Sequence, residues 1–234
     1  MKEKKQLLHF IDSKDISRRK FLKVVGVFAF GTGFVSCVDP SSPYPPSQGY
    51  ILVDTKKCQG CITCMLACSL VQEGYVCQSL SRIQIVQNPF TGWPHDISIE
   101  QCRQCINPAC VASCPVEALH VDTERGNIRL VDRDKCIGCQ RCMEACQHEP
   151  KRPIVIQDEN YGSTMKARKC DLCINAPFHW DSSGGGIHGK LACVESCPVN
   201  AIAFTYWPPV QEGDSGYKVN LRRGAWGKLG YPAY

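Results

Sequence analysis

Residues 102–115 read C-R-Q-C-I-N-P-A-C-V-A-S-C-P, and residues 136–146 read C-I-G-C-Q-R-C-M-E-A-C. Between them lie A-L-H-V-D (118–122), T-E-R-G-N (123–127) and I-R-L-V-D (128–132). Two short segments with β-branched residues around a Gly/Asn turn predict a β-hairpin. Such a hairpin lays the two cysteine runs side by side. Their spacings are C-x2-C-x4-C-x3-C-P (Cys102, Cys105, Cys110, Cys114, Pro115) and C-x2-C-x2-C-x3-C (Cys136, Cys139, Cys142, Cys146). Thiolates so spaced wrap a short loop around an iron–sulfur cluster. The last cysteine, often followed by Pro, reaches across to a neighbouring cluster.

Outward from this core the same signature occurs twice more, at Cys58, Cys61, Cys64 and Cys68, and at Cys170, Cys173, Cys193 and Cys197 with Pro198 behind. Sixteen of the eighteen cysteines are thus used. The motifs form a repeat of order A-B-A-B. Unit A runs L-V-D-T-K-K-C from Leu52 and L-V-D-R-D-K-C from Leu130; unit B runs C-V-A-S-C-P-V-E-A-L to Leu119 and C-V-E-S-C-P-V-N-A-I to Ile202. Disulfides or structural zinc are the competing use of so many cysteines. Zinc sites take their cysteines in pairs, whereas in two of the motifs three fall within seven residues and a fourth follows closely.

The hairpin makes residues 98–150 a complete module with the layout of a two-cluster bacterial ferredoxin. The strand after the fourth motif (201–205) would then lie beside the strand before the first (50–54), so the second module is split around the first. The fold class expected is α+β: two bacterial dicluster ferredoxin-like modules, one inserted into the other, with short hairpins, short helices and extensive loops. The boundaries are 50–97 with 165–205 for the split module and 98–150 for the inserted one. The expected cofactors are four [4Fe–4S] clusters with crossed ligands. Cys58, Cys61 and Cys64 take Cys197; Cys170, Cys173 and Cys193 take Cys68. Cys102, Cys105 and Cys110 take Cys146; Cys136, Cys139 and Cys142 take Cys114. The alternative pairs the first motif with the second and the third with the fourth.

The net charge of +5 resides in residues 1–37, where eight Lys or Arg face three acids; the remaining 19 basic and 19 acidic residues balance. No nucleic-acid surface is indicated. Residues 17–23 read S-R-R-K-F-L-K ahead of a short apolar run, the twin-arginine export pattern carried by Arg18 and Arg19. Clusters are built in the cytoplasm, so an exported cluster protein must cross the membrane folded, which this route allows. The run of about 15 residues is too short to span a bilayer comfortably. Cys37 ends it in F-V-S-C, a candidate lipidation site, and residues 38–49 form a Pro/Ser linker. Residues 1–37 are therefore read as a signal or anchor, and an extracytoplasmic location follows. Cys77 belongs to no motif and reads as a buried structural thiol.

Lys57, Arg103, Lys135, Arg141, Arg168 and Lys169 adjoin ligand cysteines, where they either tune the clusters or are solvated. The insertion Ile174 to Ala192 is Gly-rich, with His179, Trp180 and His188; it reads as a docking loop, a two-His metal site being the other option. Residues 206–234 hold Tyr206, Trp207, Tyr217, Trp226, Tyr231 and Tyr234 with Arg222 and Arg223. Such a tail either anchors a partner or packs on its own body. No catalytic triad and no phosphate-binding loop is present.

These motifs resemble the four-cluster ferredoxin-like subunits of respiratory molybdenum and tungsten oxidoreductases, over about residues 50–205. L-S-R-I-Q-I-V-Q (80–87), E-Q-C-R-Q-C (100–105) and the long fourth-motif insertion look like the group found beside aldehyde ferredoxin oxidoreductase-like tungsten enzymes. The resemblance implies a subunit without a substrate site of its own. It would relay electrons between a large pterin-containing catalytic subunit and a quinone- or cytochrome-linked partner. The alternatives are a free-standing exported polyferredoxin carrier, or the iron–sulfur partner of a nitrite reductase or quinone-linked system.

Overall fold

The computed structural model describes residues 42–222. Arg18, Arg19, Cys37 and, in the tail, Arg223, Trp226, Tyr231 and Tyr234 lie outside these. Four two-stranded antiparallel sheets carry the framework. Strand β1 (Tyr50–Val53) pairs with β8 (Ile202–Thr205), with Tyr50 opposite Thr205 and Val53 opposite Ile202. Strands β4 (Leu119–Asp122) and β5 (Ile128–Val131) form the hairpin read from the sequence, Leu119 opposite Val131. Its turn uses Gly126 and Asn127 at φ of 82° and 57°, the left-handed region those residues tolerate.

Two further hairpins were not anticipated. Strands β2 (Ile83–Gln87) and β3 (Ile97–Gln101) pair across position 97/98; β6 (Ile154–Asp158), in the stretch between the expected modules, pairs with β7 (Thr164–Arg168) at the start of the 165–205 segment. Helices are short, as expected, with one exception. Helices α2 (Ala109–Ala112), α3 (Arg141–Glu144) and α4 (Ala192–Glu195) are single turns, whereas α1 (Thr63–Glu73) has eleven residues. Pro115 and Pro198 stop the chain after α2 and α4. Ser69 follows Cys68 instead, so α1 continues until Gly74, which turns left-handed (φ 81°) and donates its N–H to the Leu70 carbonyl at 2.9 Å. Helix α1 packs beside α4, and α2 beside α3.

The β4–β5 hairpin joins two hydrophobic clusters because strand side chains alternate. Ile128 and Leu130 face Ile51, Val53, Met65, Ile99 and Ile202. Leu119, with Val121 and Val131, faces Val111, Val155 and Ala167. A buried ion network ties the same regions together. Glu73 at the end of α1 holds Arg82 (3.0 Å), Arg133 (3.2 Å) and Arg168 (3.2 Å). Asp158 at the end of β6 holds Arg133 (3.3 Å) and Arg168 (3.1 Å).

The described part of the tail divides between the two readings. Tyr217 is buried, and its hydroxyl donates to the Arg103 carbonyl at 2.6 Å. Its backbone extends the edge of β1, where Val53 N–H donates to Tyr217 O and Val219 N–H to Val53 O, both at 2.9 Å. Tyr206 and Trp207 are exposed.

Candidate functional site

Equivalent turns lead into the two A motifs. Asp54 Oδ1 accepts the N–H groups of Lys56 and Lys57 (3.1 and 3.2 Å), and Asp132 Oδ1 those of Asp134 and Lys135 (3.0 and 3.4 Å). Each Asp donates its own N–H at 2.8 Å, to Ala201 O and Ala118 O respectively. Gly60 and Gly138 follow at φ of 68° and 70°, then Ile62 and Gln140 at 55° and 66°. Left-handed turns of this kind point successive N–H groups toward an anion. A Cβ at Gly138 would stand 2.4 Å from the Met165 carbonyl oxygen.

Four small cavities open behind these turns, each lined by four cysteines. Site 1 gathers Cys58, Cys61, Cys64 and Cys197. Site 2 gathers Cys102, Cys105, Cys110 and Cys146. Site 3 gathers Cys136, Cys139, Cys142 and Cys114. Site 4 gathers Cys170, Cys173, Cys193 and Cys68. Every set takes three cysteines from one motif and the fourth from another.

Donors converge on the sulfurs. Every fourth-position thiol accepts a backbone N–H: Cys68 from Arg82 (3.4 Å), Cys114 from Leu119 (3.4 Å), Cys146 from Arg152 (3.5 Å) and Cys197 from Ala201 (3.2 Å). Cys58 and Cys136 accept from Gly60 (3.4 Å) and Ala167 (3.3 Å), and Cys61 from the Thr63 hydroxyl (3.4 Å). His148 Nε2 lies 3.3 Å from Cys105 Sγ.

Burial, reinforced by neighbouring thiolates, pushes the Cys64, Cys105 and Cys142 thiols up to about 12. Four crowded thiols resist joint ionisation unless a cationic group sits among them. Among the described residues no three His, Cys, Asp or Glu side chains group as ligands of a single metal ion. Four sulfurs converging on one enclosed space suit a polynuclear cluster, whose irons supply the missing charge. The residues present therefore fit [4Fe–4S] clusters.

Helix α1 carries Cys64 of site 1 and Cys68 of site 4 one turn apart; Gln104, between two ligands of site 2, donates to Cys170 O of site 4 at 2.9 Å; and Cys110 of site 2 and Cys114 of site 3 lie one turn apart at α2. The sites therefore follow one another in the order 1–4–2–3. Cys61 and Cys139, in the two end sites, are exposed.

A model of the 4Fe-4S dicluster domain matches residues 94–206. Protein NrfC of Escherichia coli K12 is 33% identical over 196 residues, covering 80% of this chain and 79% of that protein. The Protein NrfC homolog of Haemophilus influenzae is 30% identical over 197 residues, with 80% and 79% covered. The chain belongs to the 4Fe-4S dicluster family of iron–sulfur electron-transfer subunits. A tetrathionate reductase subunit of Salmonella typhimurium is also similar, at 27% identity over 196 residues, 78% of this chain and 71% of that protein.

Within this dicluster protein, the flanking cations read from the sequence separate. Arg103 and Lys169 are buried at site 2, while Arg168 belongs to the ion network; Lys57 is half-buried, and Lys135 and Arg141 are exposed. Sequence reading missed Arg129, Arg152 and His148, which line site 2. Arg129 was legible in principle, since it alternates with Ile128 and Leu130 onto the other buried face of β5. The insertion folds over site 4. Gly185 packs against Cys173, where an added Cβ would stand 2.4 Å from the cysteine Cβ, and Gly186 N–H donates to Leu172 O at 2.6 Å. His179 lies within hydrogen-bonding distance of the carbonyls of Asp181 (3.3 Å) and Lys190 (3.0 Å). Cys77, expected to be buried, is instead half-buried among exposed neighbours, with Sγ 3.2 Å from Ser79 Oγ.

Proposed function

We propose that the chain is the electron-transfer subunit of an extracytoplasmic oxidoreductase complex, with four [4Fe–4S] clusters on its sixteen motif cysteines. It relays electrons between a large molybdenum- or tungsten-pterin catalytic subunit and a quinone- or cytochrome-linked partner. The observation carrying this reading is the set of four near-equal, four-cysteine cavities in a row whose end sites expose Cys61 and Cys139. Each cluster supplies one-electron redox chemistry when bound.

The chain's own residues hold and insulate that row. Ile62, Ile85, Ile99 and Ile202 wall site 1, and Val116, Leu119, Val131 and Val155 wall site 3. Backbone N–H groups stabilise the thiolates by charge-assisted hydrogen bonds. Two nested ferredoxin-like modules, 50–97 with 165–205 around 98–150, account for the β1–β8 and β4–β5 pairings and for the contacts of α1 with α4 and α2 with α3. The protein is exported through Arg18 and Arg19 and is held at the membrane peripherally, or by a lipid at Cys37. Among the described residues no helix is long and apolar enough to cross a membrane.

Partner docking is supported by exposed aromatics near site 1. Phe90 and Trp93 project from the β2–β3 connection, whose base is pinned by Gln87 Nε2 donating to Gly60 O at 3.2 Å. The relative named as part of a reductase points the same way. The test is purification of the tagged native protein from anaerobic cells. A pterin-containing large subunit should remain bound in stoichiometric amount. A monodisperse monomer that reduces soluble acceptors would instead establish the free-standing carrier.

A further inference from the structure

Charge is distributed unequally among the four cavities. Apart from thiols, no charged side chain lines sites 1 and 3, and site 4 has one of each sign, Arg82 and Asp171. Site 2 is lined by Arg103, Arg129, Arg152 and Lys169. Two of these are matched by acids: Arg152 pairs with Glu100 at 2.5 Å, and Arg103 pairs with Asp214. Arg129 and Lys169 contact no carboxylate among the described residues. Arg129, 1% exposed, donates to the carbonyls of Asn127 (2.5 Å), Pro45 (3.0 Å) and Ile106 (3.4 Å), and its Nε has no partner. Lys169, 3% exposed, donates to Arg129 O (2.5 Å) and Cys170 O (2.9 Å). Buried cations without a counter-charge are strongly unfavourable. The negative body they face is the Cys102, Cys105, Cys110 and Cys146 set with what it holds.

We propose that Arg129 and Lys169 tune the centre at site 2, making it the most readily reduced of the four. The inference rests on the four-cluster reading above. Reduction moves one electron from a reduced neighbouring centre, which is thereby oxidised, and adds one negative charge at site 2. Two buried cations attract that charge through a medium that screens poorly. The other three sites lack an equivalent uncompensated pair. Site 2 lies inside the row, with site 4 on one side and site 3 on the other. An electron delivered at either end therefore comes to rest there, and the interior centre is the store of the relay.

The experiment is an EPR-monitored redox titration of the full, cluster-loaded chain with dithionite. The first signal to grow should be the one missing from Cys105→Ala. Arg129→Gln should shift that signal to lower potential and leave the other three in place, while Arg129→Lys, which keeps the charge, should restore it. Lys169→Gln should shift the same signal downward and stands in if Arg129→Gln does not load. The proposal is overturned if the first signal belongs to another set, or if the loaded neutral variants leave its midpoint unmoved. Iron content separates this failure from that of the underlying reading: four clusters with an unmoved midpoint refute the tuning alone, whereas absence of a cluster at site 2 in the native chain refutes both.

Discussion

Gly138 and Gly60 occupy equivalent left-handed turns but meet different neighbours. A side chain at 138 would meet the Met165 carbonyl, which is backbone, at 2.4 Å; one at 60 would meet the amide end of Gln87, which can swing away, at 2.2 Å. Gly138→Ala therefore combines a left-handed penalty of ~1–2 kcal/mol with displacement of β7, whereas Gly60→Ala incurs mainly the first. Denaturant midpoints of the loaded protein should rank wild type above Gly60→Ala above Gly138→Ala, and equal midpoints for the two variants would contradict the packing argument. At the same scale, the crossed ligands make a spectroscopic prediction. Cys114→Ala should damage the cluster on Cys136, Cys139 and Cys142; an EPR spectrum that instead loses the Cys102 centre would refute the assignment.

Hairpins and helices carry the connections between sites. Ile128 and Leu130 on β5 place the inner hairpin in the core built by β1, α1, β2 and β3. Ile128→Ala should cost about 2–5 kcal/mol, read as a lowered unfolding free energy. The ion network is more brittle. Glu73→Gln leaves buried Arg82 and Arg168 and half-buried Arg133 short of a counter-charge, and losing one partner of such a group costs about 3–5 kcal/mol. A change below ~1 kcal/mol in chemical denaturation would show that water compensates the arginines. The β4–β5 hairpin was legible because a Gly/Asn turn is a local signal, and the four cysteine motifs because ligand spacing is one too. Strands β2 and β3 were harder: R-I-Q-I-V-Q alternates correctly, but its partner I-S-I-E-Q lies across a long Pro- and Gly-containing connection. Glu73, Arg133 and Asp158 carry no local signal at all, since their value arises only when the ends of α1 and β6 meet the turn that follows β5.

Four similar cavities in a row give the molecule two ends, and its outer surface differs between them. Site 1 lies beside the exposed Phe90 and Trp93 connection; site 3 has exposed Ile137 and Cys139. The cavity walls of both ends are apolar, while charge accumulates inside, at site 2. On the export proposed above, such a body is loaded with its clusters before it crosses the membrane. Arg18→Lys combined with Arg19→Lys should strand the loaded protein there, and fractionation showing normal export of this variant would refute the signal reading.

Metal and sulfide content of the folded, anaerobically purified chain tests the whole construction most directly. Sixteen cysteines in four sets should yield about sixteen iron and sixteen acid-labile sulfide per chain, with no zinc. An intact, colourless protein containing zinc, or iron without sulfide, would contradict it.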